Sequence, residues 1–428
     1  MINPLAQELN SVLSGSIVEA LFSNLGKRIY FPNGIIAQSG EAKKLGKTAN
    51  GTIGMTVANG HPIMLDSIHK FVPALSEAEL VGYAPTAGNP DLRAIWKEKI
   101  LEKNPSLKNK SISMPVLVPG LTAGISYLSD LFLDEGNTLL AADPSWDNYE
   151  LIAEARRNAK FRQFSLFKNG GFNLESFEQA IRDEAKSGSV RVILNFPQNP
   201  SGYSPTKDEA EKICQILKDV ASSGVKILAI SDDAYFGLNY EDNIEPESLF
   251  ARTCDLHPNI LAVKIDGPTK EDFVWGFRSG FLTFGNSTLT NEQYTALITK
   301  LMGIIRSSVS CSSTPPQSLL LRAIKDPATN IQKNEYRNIL EERYKIVRNF
   351  CNTHKCSCLE PLPFNSGYFM SFNVIGKDSE QLRKKLLNEY GIGVVSIDSK
   401  TLRVAFSSIE KEKLETVYEA IFKAAEEL

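Results

Sequence analysis

The middle of the 428-residue chain contains five short apolar runs, and stretches with helical periodicity separate them. The runs cover residues 115–118, 138–142, 190–196, 225–231 and 260–265, and the helical patterns cover 122–133, 148–157, 174–186 and 207–222. A strand that is apolar along its whole length is buried on both faces, as in a parallel sheet whose strands are connected by helices. The pattern therefore predicts an α/β fold, in which a large domain holds a mostly parallel sheet between helices.

The last hundred residues have a different pattern. Helical patterns at 317–324, 334–352, 379–390 and from 410 to about 423 alternate with extended segments at 367–374, 393–397 and 402–406. This mixture predicts a smaller α+β domain. We expect residues 60–328 to form the large domain and residues 329–428 the small one. Residues 1–59 are expected to pack with the small domain or against a partner subunit.

Composition excludes several classes of function. The net charge is −3, so nothing in the bulk charge indicates binding to nucleic acid or to a membrane surface. No apolar run approaches the ~20 residues of a membrane-spanning helix. The first thirty residues lack the pattern of a secretory signal, which makes the cytoplasm the expected location. Six cysteines occur, and the cluster of Cys351, Cys356 and Cys358 with His354 lacks the paired spacing of a zinc site, so no metal is expected.

Polar residues follow directly after four of the predicted strands. In open α/β sheets, ligands bind outside the carboxyl ends of the strands, so these residues are the first candidates for a site. The segments are Asp143-Pro144-Ser145-Trp146, Pro197-Gln198-Asn199-Pro200, Asp232-Asp233-Ala234-Tyr235 and Asp266-Gly267-Pro268-Thr269-Lys270. An indole, an amide, a carboxylate with a phenol, and a lysine are therefore predicted to meet at one edge of the sheet.

This combination fits a pyridine aldehyde that carries a phosphate. A carboxylate beside the ring nitrogen keeps that nitrogen protonated, a lysine forms an imine with the aldehyde, and an aromatic side chain stacks on the ring. A phosphate needs backbone N–H groups at the N-terminus of a helix, with hydroxyl and guanidinium donors. Gly120-Leu121-Thr122 begins the first helix of the large domain and Arg278 follows the lysine, so both are candidates for that role.

The same segments resemble the class I aminotransferases, the aspartate-aminotransferase-like branch of the fold-type I pyridoxal-phosphate enzymes. Seven motifs occur in that family's order, and they extend from Tyr83 to Arg403. They are Gly82-Tyr83 with Gly88-Asn89-Pro90-Asp91-Leu92-Arg93; Gly120-Leu121-Thr122; Pro144-Ser145-Trp146; Asn199-Pro200-Ser201-Gly202; Asp232 with Ala234 and Tyr235; Lys270 with Gly276, Arg278 and Gly280; and Leu402-Arg403-Val404. The resemblance implies pyridoxal 5′-phosphate (PLP) as the cofactor.

The resemblance also implies a role for each matching residue. Lys270 would form the imine and would later move the proton between the substrate α-carbon and the cofactor, while Asp232 would pair with the ring nitrogen. Arg403 would bind the substrate α-carboxylate. The other implied cofactor contacts are Asn199 and Tyr235 on the ring oxygen, Trp146 on the ring face, and Gly120, Leu121, Thr122 and Arg278 on the phosphate, joined by Tyr83 from the other subunit of a homodimer.

Two of these assignments have neighbours as alternatives. Lys264 also belongs to the last predicted strand, but only Lys270 has the family's spacing to Gly276 and Arg278. Asp233 is the alternative to Asp232, and the spacing to Ala234 and Tyr235 favours Asp232. Four other candidates have a plain structural alternative as well: core packing for Trp146, a turn for Asn199, and a solvated side chain for Arg403 and for Arg306.

Two departures from the family concern the site. Gly267 occupies the place where the family often has a hydroxyl that binds phosphate, which leaves open whether Thr269 compensates. The connection between Val395 and Leu402 is short and direct, whereas the family tends to have a loop with Pro-Gly before the arginine.

The resemblance implies an aminotransferase that acts on a small amino acid and a keto acid. A pyridoxal-phosphate lyase of the same fold, which eliminates a β-substituent, uses the same cofactor residues and is the alternative. A ligand-binding protein that has lost turnover is a third hypothesis.

Arg306 resembles the arginine that dicarboxylate-using members present to the distal carboxylate from the other subunit, so we expect glutamate and 2-oxoglutarate to be one substrate pair. Pro315-Pro316 comes later after Arg306 than in the family.

Overall fold

A seven-stranded sheet forms the centre of the computed structural model, which describes residues 2–14, 24–30 and 34–428. Neighbouring strands are parallel except Gly280–Gly285, which is antiparallel to both of its neighbours. The order across the sheet is Val116–Val118, Gly280–Gly285, Ile260–Asp266, Lys226–Asp232, Ser189–Asn195, Thr138–Asp143 and Lys160–Ser165. The predicted α/β fold with a mostly parallel sheet is confirmed.

Helices cover both faces of this sheet. On one face, Leu121–Phe132 and Asn291–Ser308 contribute to an apolar cluster, and on the other Leu174–Ala185 and Lys207–Ser222 do so. The other α-helices described are Pro4–Val12, Asn24–Arg28, Ile35–Leu45, Asp66–Phe71, Glu77–Val81, Pro90–Lys103, Asn148–Glu150, Leu249–Thr253, Pro268–Glu271, Thr314–Lys325, Pro327–Thr353, Ser379–Tyr390 and Leu414–Glu426.

Local sequence signals set the limits of these helices. Thr206 precedes the helix Lys207–Ser222, and its side chain and that of Glu209 each bond the other's backbone N–H, at 3.2 and 2.8 Å. This reciprocal capping box satisfies two donors that a helix start leaves without partners. In the C-terminal part of the chain, the helix Ser379–Tyr390 ends at Gly391, which has the left-handed conformation that glycine adopts readily.

The C-terminal part of the chain forms a second, antiparallel sheet. Its strands are, in spatial order, Leu359–Pro361, Met370–Val374, Thr401–Val404 and Val395–Ser396. The N-terminal residues contact this unit, because Ala49–Asn50 pairs in parallel with Ile392–Gly393 and the Gln38 amide makes two bonds with the backbone of Ser396, at 2.8 and 2.9 Å. The domain boundaries expected from the sequence, 60–328 and 329–428, remain a prediction.

One predicted helix differs in kind. The pattern at 148–157 predicts a single α-helix, whereas the chain has a short helix, Asn148–Glu150, that continues as a π-helical turn, Leu151–Arg156. Wide turns of this type are frequent beside functional sites.

Among the residues that the structure describes, no helix combines the length and the apolar character that crossing a membrane requires.

Candidate functional site

A cavity of about 120 Å³ lies at the carboxyl ends of the parallel strands. Strand register brings its parts together, since Asp232 pairs with Asn195 on one side and with Ile265, five residues before Lys270, on the other. The cavity is lined by Leu121, Thr122, Trp146, Tyr149, Asn195, Asn199, Asp232, Ala234, Tyr235, Thr269, Lys270 and Arg278. Eight of the predicted site residues are in this set: Leu121, Thr122, Trp146, Asn199, Asp232, Tyr235, Lys270 and Arg278.

Asp232 is the buried carboxylate of the cavity, with 3% of its surface exposed. Its Oδ2 accepts a hydrogen bond from the phenol of Tyr149, and its Oδ1 accepts one from the backbone N–H of Ala234 at 3.2 Å. Burial raises the pKa of the Asp232 carboxyl, while the Tyr149 hydrogen bond and the charge of Lys270 lower it. A cationic partner in the cavity would stabilise this carboxylate in its charged form.

Tyr149 is a site residue that the sequence did not predict, and Asn195 is another. Tyr149 is buried, and its ring meets that of Trp146 edge to face, with centroids 5.4 Å apart. The residue lies within a helical pattern, where an aromatic side chain is usually core packing. The signal that could have identified it is its position three residues after Trp146, in the turn that follows the strand, where the Tyr149 N–H donates to the Trp146 carbonyl at 3.1 Å.

Lys270 brings a buried amine to the same cavity. Its Nζ lies 5.0 Å from the centroid of the Tyr235 ring. Burial, opposed by the charge of Asp232 and assisted by that of Arg278, lowers the pKa of this amine to about 8. An ordinary lysine has a pKa near 10.4, so a much larger fraction of Lys270 is the neutral, nucleophilic amine near neutral pH.

Lys264 and Asp233 belong to a separate buried cluster. Lys264 is 1% exposed, forms an ion pair with Asp233 and lies 3.6 Å from a carboxylate oxygen of Asp266. Asp233 also accepts a hydrogen bond from the Ser248 hydroxyl at 2.5 Å. Neither Lys264 nor Asp233 lines the cavity. Because each already has partners of opposite charge, the geometry supports Lys270 and Asp232 as the residues that face a ligand.

The segment Gly120-Leu121-Thr122 forms the start of the helix Leu121–Phe132 beside Arg278. Gly120 has a φ of +92°, and a Cβ at this position would lie 2.4 Å from Nη2 of Arg278. Glycine therefore allows the guanidinium group to approach the backbone where the helix presents its free N–H groups. Helix N–H groups next to a guanidinium group are the donor set that a phosphate requires.

Gly267 and Thr269 are the residues that the first departure from the family concerns. A Cβ at Gly267 would lie 2.8 Å from the backbone oxygen of Ser279, so a larger residue does not fit here. Thr269 lines the cavity instead, and its Oγ1 lies 3.4 Å from the same oxygen of Ser279. The hydroxyl group in this turn thus occurs two residues later than in the family.

Arg403, in the strand Thr401–Val404, does not line the cavity but contacts Asn199, which does. Arg403 is 2% exposed and donates hydrogen bonds to Asn199 Oδ1 at 2.9 Å and to the carbonyl of Thr52 at 3.0 Å. Its guanidinium carbon lies 4.3 Å from the Phe369 ring centroid, and its Nε is a buried donor without a partner in the described part of the chain. Burial lowers the pKa of Arg403 to about 10. A buried cation with unused donors is a suitable site for a carboxylate.

Four predicted residues do not line the cavity: Gly120 and Arg403, which contact residues of its wall, and Tyr83 and Arg306, which are exposed. Tyr83 is 96% exposed. Arg306 is exposed near the end of the helix Asn291–Ser308, where it donates a hydrogen bond to the Ser310 hydroxyl. Both were predicted to act in the site of a partner subunit, and these two roles stay predictions.

Comparisons with known proteins agree with this geometry. Residues 55–421 match the model of the family described as aminotransferase class I and II. Two curated relatives are a probable aspartate/prephenate aminotransferase of Aquifex aeolicus, 28% identical over 265 residues, and an aspartate aminotransferase of Bacillus sp., 25% identical over 266 residues. The matches cover 61% and 62% of this chain, and 61% and 62% of those relatives' own length.

A solved structure gives the same fold over nearly the whole chain. The crystal structure of an aminotransferase from Anaerococcus prevotii superposes with a TM-score of 0.84, at 23% identity, and the match covers 94% of this chain and 99% of that one. At this identity the likeness establishes the fold. Together with the family match over residues 55–421, it shows that the chain belongs to the class I and II aminotransferase family.

Proposed function

We propose that this protein is a PLP-dependent aminotransferase that moves the α-amino group between an L-amino acid and a 2-keto acid. One observation carries the proposal: the Lys270 amine and the Asp232 carboxylate line the same cavity as Leu121, Thr122 and Arg278. These groups supply an amine for an aldehyde, a carboxylate for a pyridinium and donors for a phosphate. The residues present therefore fit PLP.

When bound, PLP supplies an aldehyde carbon that reacts with amines and a protonated ring that withdraws electrons from the substrate α-carbon. Lys270 would hold the aldehyde carbon and Asp232 the protonated ring nitrogen. Trp146 would cover the ring face, and Asn199 and Tyr235 would bond the ring oxygen. Gly120, Leu121, Thr122 and Arg278 would hold the phosphate.

Lys270 is also the group that moves the proton. With a pKa of about 8, roughly a tenth of its amine is neutral at pH 7, so it can take a proton from the substrate α-carbon and return it. Burial raises the pKa of Asp232, but the Tyr149 hydrogen bond and the charge of Lys270 oppose this change, and a cation beside the carboxylate would favour its charged form. Arg403 would orient the substrate through its carboxylate, with the Nε–H group that has no partner in the described residues.

A screen of purified protein tests the proposal. Each amino-acid donor is mixed with PLP-loaded protein and either 2-oxoglutarate or pyruvate, and the amino-acid product is quantified. Transfer of one amino group per keto acid consumed is the expected result. Release of ammonia and pyruvate without a keto-acid acceptor would instead identify a β-eliminating lyase. Cofactor binding with no turnover of any donor would identify a binding protein.

We further propose that glutamate and 2-oxoglutarate are one substrate pair, with Arg306 contacting the distal carboxylate in the partner subunit's site. Within the described residues, the exposed guanidinium of Arg306 has only a hydroxyl partner, that of Ser310, so this planar group is available for a carboxylate. Such a group forms two charge-assisted hydrogen bonds at once.

Arg306→Ala is expected to lower kcat/KM for glutamate by roughly 2–4 kcal/mol of transition-state stabilisation and to leave alanine almost unaffected. Steady-state kinetics with both donors measure the difference. Lys300→Ala is the matched control, because Lys300 is an exposed cation on the same helix. Equal losses for both donors, or none, would mean that Arg306 does not contact the side chain of the substrate and that uncharged amino acids are preferred.

We also propose a homodimer in which Tyr83 reaches the phosphate of the other subunit. Tyr83 is 96% exposed in one chain, although the neighbouring backbone is fixed: Thr314 donates a hydrogen bond to the Gly82 carbonyl at 2.6 Å. Further exposed apolar side chains occur close to it in the sequence. They are Met64, Val72, Leu80 and Val81. Exposed apolar side chains of this number support an interface with a second copy.

Mixed dimers test this arrangement. Tyr83→Phe alone is expected to weaken PLP binding about tenfold, the value of one hydrogen bond to a charged group. A dimer of one Tyr83→Phe subunit and one Lys270→Ala subunit should contain one intact site, which binds PLP as tightly as the parent protein. If the site of the mixed dimer that retains Lys270 binds as weakly as Tyr83→Phe, the sites are not shared.

A further inference from the structure

The backbone of Lys270 is held by a residue of the C-terminal sheet unit. The phenol of Tyr368 donates a hydrogen bond to the Lys270 carbonyl oxygen at 2.9 Å. Tyr368 is fully buried and lies two residues before the strand Met370–Val374. The backbone N–H groups of Asp272 and Phe273, in the same turn, also approach this oxygen, the second at 3.4 Å. Tyr368 differs from these two donors because it reaches Lys270 with a side chain from a different part of the fold.

Tyr368 also packs against Tyr235, whose ring lies beside the Lys270 amine. Its ring centroid lies 5.4 Å from that of Tyr235, and the two planes are inclined at 67°. The Lys270 Nζ lies 5.0 Å from the same Tyr235 ring. One tyrosine thus fixes the backbone of Lys270 directly and the surroundings of its amine through Tyr235.

Residues 268–273, here called the Lys270 turn, have a backbone conformation that depends on contacts with the rest of the protein. Phe273, three residues after Lys270, has a φ of +55°, in the left-handed region that bulky residues avoid. Its ring is buried against Trp275 and Tyr336, with centroids 5.9 and 5.3 Å away. A backbone conformation of this kind persists only where the surrounding structure imposes it.

The residues that follow Tyr368 contact Arg403, the residue proposed to bind the substrate carboxylate. The next residue, Phe369, packs its ring under the guanidinium of Arg403 at 4.3 Å, and Ser371 is the strand partner of Arg403. Tyr368 and Phe369 therefore connect the lysine and the arginine of the site through one short piece of chain.

We propose that Tyr368 is a positioning residue that holds the Lys270 turn at a fixed distance from Arg403, so that the amine meets the cofactor without rearrangement of the turn. The inference rests on the proposed function, because it requires Lys270 to be the residue that attaches PLP. Tyr368 touches neither the substrate nor the cofactor in this role, and it acts through the backbone of Lys270.

The test compares Tyr368→Phe with Tyr240→Phe in the full-length protein. Tyr240 is a matched control, since it is also buried and its phenol donates to a backbone carbonyl, that of Gly367, at 2.8 Å. Both variants lose one phenol–carbonyl hydrogen bond next to the same strand, and only one of these bonds is to Lys270. Three quantities are measured: the dissociation constant of PLP, hydrogen–deuterium exchange of the peptide that spans residues 268–273 before PLP is added, and the thermal midpoint.

Tyr368→Phe is expected to bind PLP roughly fivefold more weakly, the effect of one typical hydrogen bond, and to exchange faster in the 268–273 peptide. Tyr240→Phe should match the parent protein in both quantities, while the two variants have similar thermal midpoints. If the two variants do not differ in PLP affinity or in exchange, Tyr368 has no positioning role. If the parent protein itself attaches PLP at another lysine or not at all, the proposed function fails, and this inference with it.

Discussion

Replacing Lys270 with alanine is expected to lower kcat by roughly 10⁴-fold or more, because the change removes the attachment point for PLP and the base that moves the α-proton. The protein should still fold, since the Lys270 side chain lines a cavity and is not part of the apolar clusters. Its thermal midpoint should stay close to that of the parent protein.

A chemical experiment on the unaltered protein tests the same residue. Borohydride reduction should bleach the yellow PLP-loaded protein and leave one pyridoxyl group, which peptide mapping should locate on Lys270. Lys264→Met is the matched control, because it removes a buried lysine only six positions away; it should retain the adduct, although its unpaired partners Asp233 and Asp266 are expected to lower stability. An adduct on Lys264 would contradict the assignment.

The pH dependence of cofactor capture gives an independent measurement. The neutral amine is the reactive form, so the rate at which cofactor-free protein takes up PLP should rise about tenfold per pH unit below the pKa of Lys270 and become constant above it. Burial and the charge of Arg278 place that pKa at about 8. Arg278→Gln should shift the midpoint to higher pH, because it removes a positive charge that lowers the pKa. A midpoint near the ordinary lysine value in the parent protein would contradict this environment for Lys270.

This part of the site could be predicted from the sequence because the spacing of apolar residues along the chain indicates where the strands begin and end. Continuous apolar runs indicate buried parallel strands, and the carboxyl ends of such strands meet at one edge of the sheet. Asn199, Asp232 and Lys270 could therefore be placed together before any coordinates were known. The resemblance to a family then chose between neighbouring residues, such as Lys264 and Lys270, which periodicity alone does not distinguish.

Other contacts could not be predicted because they join distant parts of the chain. Tyr149 reaches Asp232 across 83 residues and Tyr368 reaches Lys270 across 98, and neither hydrogen bond has a counterpart in local spacing. Arg403 is a similar case. Its burial and its bond to the Thr52 carbonyl depend on the N-terminal segment, which pairs with the strand Ile392–Gly393. Such contacts follow from tertiary packing, which a pattern within one segment does not encode.

Asp232→Asn is the second substitution with a large expected effect. The amide is nearly the same size and still accepts the Tyr149 hydrogen bond, so the cavity should keep its shape. What it loses is the negative charge that keeps the cofactor ring protonated and hence able to withdraw electrons from the α-carbon. We expect kcat to fall by roughly 10²–10⁴-fold, the range typical for loss of a group that stabilises charge in the transition state.

The affinity for PLP should change far less than kcat, because Lys270 and the Gly120–Thr122 helix start are unaltered. Equilibrium titration of the variant with PLP, beside its steady-state kinetics, measures both quantities. Near-normal turnover would show that Asp232 does not serve the ring nitrogen. Tyr149→Phe should give a smaller loss, since it removes one hydrogen bond to the carboxylate but leaves the charge in place.

Asp233→Asn is the matched control for this charge, because Asp233 is an equally buried carboxylate at the next position of the chain. Its partners are Lys264 and Ser248, so this change should lower thermal stability more than Asp232→Asn does and lower kcat less. A further difference follows from electrostatics. Asp232 raises the pKa of Lys270, so its loss should move the pH midpoint of cofactor capture below about 8, while the loss of Asp233 should leave that midpoint in place. Opposite behaviour of the two variants in stability, turnover and pH midpoint would separate the carboxylate that faces the ligand from the one that only supports the strands.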